Sequence, residues 1–63
     1  MRKVIEVKAK GGRFIATTDG SVYRLYNVWY DNGWHRKMAV KSDSILVVIA
    51  RIHAELAIRG YDK

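Results

Sequence analysis

The chain has 63 residues, no cysteine and no proline, and it carries 12 Lys and Arg against 6 Asp and Glu, for a net charge of +6. The absence of cysteine excludes disulfide bonds and thiolate zinc sites as supports for so short a chain, and it is typical of a reducing compartment. We therefore expect a cytoplasmic protein that is stabilised by packing or by self-association. Because apolar residues make up 49% of the sequence, we expect a folded domain and not a disordered basic tail.

The first two thirds of the chain predict four short strands separated by glycine-containing turns. Over residues 4–10, Ile5, Val7 and Ala9 alternate with Val4, Glu6, Lys8 and Lys10, as in a half-buried strand. Gly11-Gly12, Asp19-Gly20 and Asn32-Gly33 follow at intervals of roughly ten residues, and each pair favours a two-residue hairpin turn. The sequence therefore predicts a four-stranded antiparallel meander over about residues 4–41.

Beyond Val40 the apolar period changes from that of a strand to that of a helix. Ser42 or Asp43 can cap the helix start and Gly60 can end the helix. The apolar positions that would face the sheet are Ile45, Val48, Ile49, Ile52 and Leu56. We predict an amphipathic helix over about residues 43–59, packed on one face of the sheet, and hence a single small α+β domain, residues 1–63, with the order ββββα.

Carrying the register through the three hairpins predicts which side chains share a face of the sheet. The helix side should receive Ile5, Val7, Ala9, Phe14, Ala16, Tyr23, Leu25 and Trp29, with Asn27 as a polar exception. The opposite side should receive Glu6 and a mixture of cations, rings and aliphatic residues: Lys8, Lys10, Arg13, Ile15, Arg24, Tyr26, Val28, Tyr30, His35, Lys37 and Lys41. A one-residue bulge at the last turn would put Trp34 and Arg36 there in place of His35 and Lys37.

Cations beside exposed tyrosine rings favour a nucleic-acid-binding module, because Lys and Arg neutralise phosphates and the rings stack on bases. We expect DNA or RNA as the partner, bound by Lys8, Lys10, Arg13, Arg24, Tyr26, Tyr30, His35, Lys37 and Lys41. The ββββα order is similar to the sheet-plus-helix DNA-binding domains of the AP2 type and of some tyrosine-integrase amino-terminal domains. In those families a three-stranded sheet enters the major groove. Single-stranded and double-stranded ligands are both compatible with the sequence.

The alternative is a small protein-interaction module, such as an inhibitor or an accessory subunit of a nucleic-acid enzyme. Aromatic residues and Arg are the types that anchor protein interfaces. Those near the Asn32-Gly33 turn are Trp29, Tyr30, Trp34 and Arg36. A protein partner would use this turn region, the helix, or both.

The side of the predicted helix that faces away from the sheet is also apolar, and its residues are Val47, Ala50, Ala54, Ala57 and Ile58. A homodimer through Val47, Ala54 and Ile58 would bury this side, although alanine is also simply a good helix former. Arg51, His53 and Glu55 interrupt the apolar sequence of the predicted helix, so we expect neither a membrane span nor a membrane partner.

We expect no enzymatic activity from this chain. His35 and His53 lie on different predicted elements without partner carboxylates at a recognisable spacing. There is no G-x-S-x-G or phosphate-loop pattern and no thiol nucleophile. Asp31, His35 and His53 form no recognisable ligand cluster, so we expect no metal and no cofactor.

Overall fold

Four antiparallel strands are followed by one helix in the computed structural model, which describes residues 1–59 and the side chains of residues 1–58. The strands are β1 (Arg2–Ala9), β2 (Gly12–Thr18), β3 (Tyr23–Tyr30) and β4 (Trp34–Ser42), and the helix is α1 (Ile45–Arg59). Neighbours in the sheet follow the chain order β1-β2-β3-β4. The predicted α+β fold with a ββββα order is confirmed. The expected helix stop at Gly60 lies outside the described residues.

The core lies between α1 and one face of the sheet. Its buried apolar residues are Ala9, Phe14, Ala16, Leu25, Val48, Ile52 and Leu56. Partly buried side chains pack around them: Ile5, Val7, Tyr23, Ala39, Val40 and Ile45. Of the five α1 residues predicted to face the sheet, Val48, Ile52 and Leu56 are in the core and Ile45 packs against it, whereas Ile49 is only half-buried. The largest fully buried side chains of the core are Phe14, Leu25 and Val48.

The first hairpin pairs two residues away from the predicted register. Ala9 pairs with Gly12, so the turn is Lys10-Gly11, and Gly11 takes a positive φ of 81°. Gly12 lies in β2 against β3, where a Cβ atom would clash with the carbonyl oxygen of Val28. Close approach of the backbones, and not turn geometry, is what requires glycine at position 12. Because the shift is two residues, every side chain keeps its predicted face.

The second hairpin also shifts by two residues, because its loop has four residues, 19–22, instead of two. The Thr18 hydroxyl donates to the carbonyl oxygen of Val22 at 2.9 Å, which closes the loop. Within it, Asp19 Oδ1 accepts the backbone hydrogens of Ser21 and Val22 at 2.9 and 3.1 Å. Tyr23 consequently pairs with Thr18 and stays on the helix side, as predicted.

The third hairpin has a three-residue loop, 31–33, between the paired residues Tyr30 and Trp34. Asn32 and Gly33 both have positive φ angles, 55° and 137°, which fits the preference of Asn-Gly for this conformation. A loop of three residues instead of two shifts the register by one, and a one-residue shift exchanges the two faces of a strand.

A β-bulge within β4 cancels this shift for the second half of the strand. Val40 opposes Leu25, as it would with a two-residue Asn32-Gly33 loop, whereas Met38 opposes Tyr26, so Ala39 is the extra residue. Val40 therefore points to the core, and the residues that precede Ala39 lie on faces opposite to those predicted.

The connection from β4 to α1 is short. Ser42 Oγ accepts the backbone hydrogen of Ser44 at 3.1 Å, and α1 begins at Ile45, two residues later than predicted. Within residues 1–59, α1 is too short to span a lipid bilayer.

Candidate nucleic-acid interface

The face of the sheet that points away from α1, here called the open face, consists of three rows of residues paired across the strands. The first row is Lys8, Arg13, Val28 and Arg36; the second is Glu6, Ile15, Tyr26 and Met38; the third is Lys3, Thr17, Arg24 and Lys41. Tyr30 and Trp34 extend this face beyond the first row. Cations therefore occupy the two outer rows, and the middle row is mainly apolar and aromatic.

Glu6 is the one acid in the three rows, and it joins two of their cations. Lys3 Nζ and Arg13 Nη1 each donate to a different oxygen of the Glu6 carboxylate at 2.7 Å. The hydrogen bond from Lys3, and then that from Arg13, lowers the pKa of Glu6 below its usual value. Glu6 is thus ionised at neutral pH and neutralises part of the surrounding charge.

Asp19, in the second loop, neutralises a further cation of the open face. Its second oxygen accepts a hydrogen bond from Arg24 Nη1 at 3.2 Å. The backbone hydrogens of Ser21 and Val22, and then the Arg24 guanidinium, hold the pKa of Asp19 well below its usual range. Arg24 is therefore fixed at the edge of the loop.

The remaining cations of the open face form no ion pair with an acid among the described residues. They are Lys8, Arg36 and Lys41. The Arg36 guanidinium carbon lies 4.7 Å from the centroid of the Tyr26 ring, in a cation–π contact. The guanidinium thus covers Tyr26, while its hydrogen-bond donors remain available to an anion.

Two aromatic rings at the turn end of the open face are largely in solvent. Tyr30 and Trp34 are 64% and 66% exposed, and their rings meet edge to face with centroids 5.3 Å apart. They line one side of a shallow depression of about 290 Å³, and Lys8 and Arg13 line it as well. An unpaired base seated on these rings would lie next to two cations.

No family model, no curated protein and no solved structure matches this chain. Within residues 1–59, no group of three or more His, Asp or Glu residues is placed to hold a metal ion. The interpretation of the open face therefore rests on its own geometry.

The prediction that His35 lies on the open face was wrong. The three-residue third loop turns His35 to the helix side, where its ring stacks on Trp29 with centroids 5.4 Å apart and an angle of 19°. Its Nε2 donates to the carbonyl oxygen of Asp31 at 2.8 Å. His35 thus holds the third turn in place, and Trp29, which was assigned to a protein interface, is half-buried beneath the His35 ring.

The prediction that Lys37 lies on the open face was wrong for the same reason, because Lys37 lies on the helix side opposite Asn27. Both residues line a recess of about 170 Å³ beside α1, together with Arg51 and Glu55. This polar surrounding explains how Asn27 is accommodated on the side that otherwise holds the core.

Other predicted contact residues lie where the sequence placed them. Lys8, Arg13, Arg24, Tyr26, Tyr30 and Lys41 are on the open face. Lys10 is instead in the first turn, because that hairpin is closed by Lys10-Gly11. Trp34 and Arg36, which were assigned to a protein interface, belong to the open face, and the remaining interface candidates Val47, Ala54 and Ile58 are exposed on α1.

Three further residues of the open face were not predicted to belong to it: Lys3, Thr17 and Met38. Met38 lies there because the third loop has three residues, and Lys3 lies there because the β1–β2 register shifts between Lys3 and Ile5. Strict alternation along β1 places Lys3 on the same side as Ile5, so the sequence pattern alone carries no signal for its position.

Proposed function

We propose that this protein binds nucleic acid through the open face. The supporting observation is the segregation of charge: six cations and a single acid occupy three rows of one face, although solubility alone requires no such segregation. Lys8, Arg36 and Lys41, which have no acid partner among the described residues, would contact phosphates first.

A single strand fits the middle of the open face better than a duplex does. Ile15, Val28 and Met38 offer no side-chain donor to base edges, whereas readout in a groove depends on residues such as Arg, Asn and Gln. Flat rings bordered by cations are the usual platform for unpaired bases. Four strands about 4.8 Å apart also span roughly 14 Å, more than the width of about 12 Å of the major groove.

The proposal is tested by measuring affinity for single-stranded DNA, single-stranded RNA and the matching duplex by fluorescence anisotropy. Three phosphate contacts predict that single-strand affinity falls roughly 20-fold between about 50 and about 200 mM salt. Single strands should also bind more tightly than the duplex. Failure to bind any of the three ligands, or an affinity that does not change with salt, would overturn the proposal.

A charge-matched pair of variants locates the binding surface. Lys8→Gln with Lys41→Gln removes two cations from the open face, and Arg2→Gln with Lys37→Gln removes two from elsewhere, so both variants reduce the net charge from +6 to +4. We expect the open-face variant to lower the slope of log affinity against log salt by about 1.4, and its control to leave the slope nearly unchanged. Equal losses in both variants would mean that net charge, and not this face, attracts the ligand.

A second candidate function is binding of a protein partner, such as a nucleic-acid enzyme, and it is favoured by the exposed pair Tyr30 and Trp34. Because Trp34 lies on the open face, Trp34→Ala would weaken the binding of either kind of ligand and does not separate the two functions. The variant Lys8→Gln with Lys41→Gln separates them, since a protein anchored by aromatic residues should still bind after the loss of these two lysines. For either function we propose the cytoplasm as the compartment, in keeping with the absence of cysteine.

A further inference from the structure

The side of α1 that faces away from the sheet carries an uninterrupted apolar surface, here called the apolar strip. It consists of the exposed residues Leu46, Val47, Ala50, Ala54, Ala57 and Ile58. Leu46 is 72% exposed and Ile58 is 83% exposed. At 100° per residue the strip covers an arc of about 120°, opposite the stripe that contacts the sheet. A contiguous exposed apolar surface of this kind often marks an interaction site.

We propose that the apolar strip is covered by a second copy of this chain, in an antiparallel pair of helices with two-fold symmetry. The strip is symmetric about Ile52: Leu46 and Ile58 lie six residues from it, Val47 and Ala57 five, and Ala50 and Ala54 two. When two antiparallel helices cross at the level of Ile52, each of these residues lies at the same height as the other member of its pair on the second copy. Leu46 of one copy, for example, is level with Ile58 of the other. This is the self-complementarity that an interface with two-fold symmetry needs.

The sizes of the side chains fit the same arrangement. The small residues Ala50 and Ala54 lie next to the crossing point, where they allow the helix axes to approach to about 8 Å. Leu46 and Ile58 lie at the two ends and can pack over the seam from opposite sides. A helix that was apolar only because it needed good helix formers would not place Ile at a position that is 83% exposed.

The distribution of charge favours a second copy over other occupants. The strip itself contains no charged residue, and Arg51 on its border is engaged by Glu55 at 3.1 Å. An acidic protein or an anionic membrane would be attracted to the open face, which lies on the other side of the sheet. Helix-to-helix pairing keeps the two basic faces on the outside, where they repel each other least.

The area of the strip limits the strength of the pair. A helix of 15 residues is about 22 Å long, so a third of its surface is roughly 300 Å² per copy. Standard protein interfaces bury about 800 Å² per partner. We therefore expect a dimer with a dissociation constant in the micromolar range, in exchange with the monomer.

Sedimentation equilibrium from about 1 µM to about 1 mM protein tests the proposal, with the expected result of a monomer–dimer equilibrium. Ala50→Glu with Ala54→Glu should be monomeric, as should Ala50→Lys with Ala54→Lys, because like charges would meet at the crossing point. An equimolar mixture of the two variants should dimerise again. The control, Tyr30→Glu with Met38→Glu, adds the same charge to the open face and should dimerise like the native chain.

The outcome that overturns the proposal is a native chain that stays monomeric up to the highest concentration, or a Glu variant that dimerises as well as the native chain does. Circular dichroism establishes that each variant is folded. Because no nucleic acid is present, failure of this test would leave the proposed function of the open face untouched.

Cysteine cross-linking tests the antiparallel arrangement, since the native chain contains no cysteine. Ala50→Cys and Ala54→Cys chains should form a disulfide when mixed, because positions 50 and 54 come level only in an antiparallel pair, and a disulfide requires Cα atoms within about 7 Å. Each variant alone should cross-link poorly. Efficient cross-linking of either variant with itself would indicate parallel or random pairing and would contradict the arrangement.

Discussion

Glu6 is the residue that most limits the positive charge of the open face. Its carboxylate binds Lys3 and Arg13 at 2.7 Å each, so two of the six cations there are turned toward Glu6 instead of toward solvent. The lowered pKa of Glu6 means that this neutralisation persists throughout the neutral pH range. A phosphate that reaches either cation must compete with Glu6.

Replacing Glu6 by glutamine should therefore strengthen nucleic-acid binding. Each cation that becomes free to contact a phosphate adds about 0.7 to the salt slope on a single strand, so we expect the slope to rise by about 1.4. Asp43→Asn is the matched control, because it removes one negative charge from an exposed site between β4 and α1. The binding titrations at two salt concentrations measure both variants, and equal gains for both would show that Glu6 holds no special position.

The ion pairs of Glu6 also predict how stability depends on pH. A carboxyl group whose pKa is lowered in the folded state stabilises that state above its unfolded pKa, here near 4.5, and the contribution is lost as the pH falls through the lowered value. The difference in Tm between the native chain and Glu6→Gln should be constant from about pH 7 to about pH 5.5 and shrink below that. Thermal melts across this range measure it, and a difference that persists at about pH 2 would contradict the assignment.

At the scale of elements, the order of strands and helix could be predicted, because it depends on composition and on the apolar period. The register of the hairpins could not, because it depends on the number of residues in each loop. The two-residue shifts of the first two hairpins left every face unchanged, so Tyr23 and Leu25 were placed correctly in spite of the wrong register. The three-residue third loop changed the faces of the first half of β4. Asn32-Gly33 has positive φ angles in loops of either length, so its residue types alone cannot distinguish them.

Deletion of Ala39 provides a test of the bulge. Without this residue β4 pairs continuously with β3, and Met38 and Arg36 keep their places on the open face. We expect the shortened chain to fold and to retain its affinity for nucleic acid. Deletion of Tyr26 is the contrasting variant and should disrupt the sheet, because Tyr26 is paired with strands on both sides. Circular dichroism and the binding assay report the result, and an unfolded chain lacking Ala39 would contradict the pairing.

At the scale of the whole molecule, stability depends on few buried side chains. Leu25→Ala should cost about 2–5 kcal/mol, because Leu25 is fully buried between sheet and helix. At roughly 0.05–0.15 kcal/mol per residue, a chain of this length has only about 3–9 kcal/mol in total. Much of the Leu25→Ala population should therefore be unfolded at 25 °C.

Leu46→Ala makes the same chemical change at a site that is 72% exposed. Urea denaturation at low protein concentration should show that the free energy of unfolding of this variant is within about 0.5 kcal/mol of the native value, since the monomer leaves Leu46 in solvent. Comparable losses for Leu25→Ala and Leu46→Ala would mean that the core is not located between α1 and the sheet as described.

The sequence predicted the basic and aromatic composition of the open face better than it predicted which residues lie on that face. Segregation of cations to one side follows from the alternation in β1, β2 and β3, which no loop length altered by an odd number. Which of His35, Arg36 and Lys37 belong to the open face depended on the length of the third loop, and the bulge at Ala39 returns Val40 to the core side. Lys3 was missed because of the register shift at the other edge of the sheet.

The apolar strip lies directly behind the open face, with the thickness of one helix and one sheet between them. A pair of chains joined through the strip would carry its two basic surfaces back to back, so a short oligonucleotide could reach only one of them. On a long polymer the two surfaces would hold two distant segments at once. Such a pair would act as a cross-linker that compacts nucleic acid, and a monomeric variant with an intact open face would only coat it.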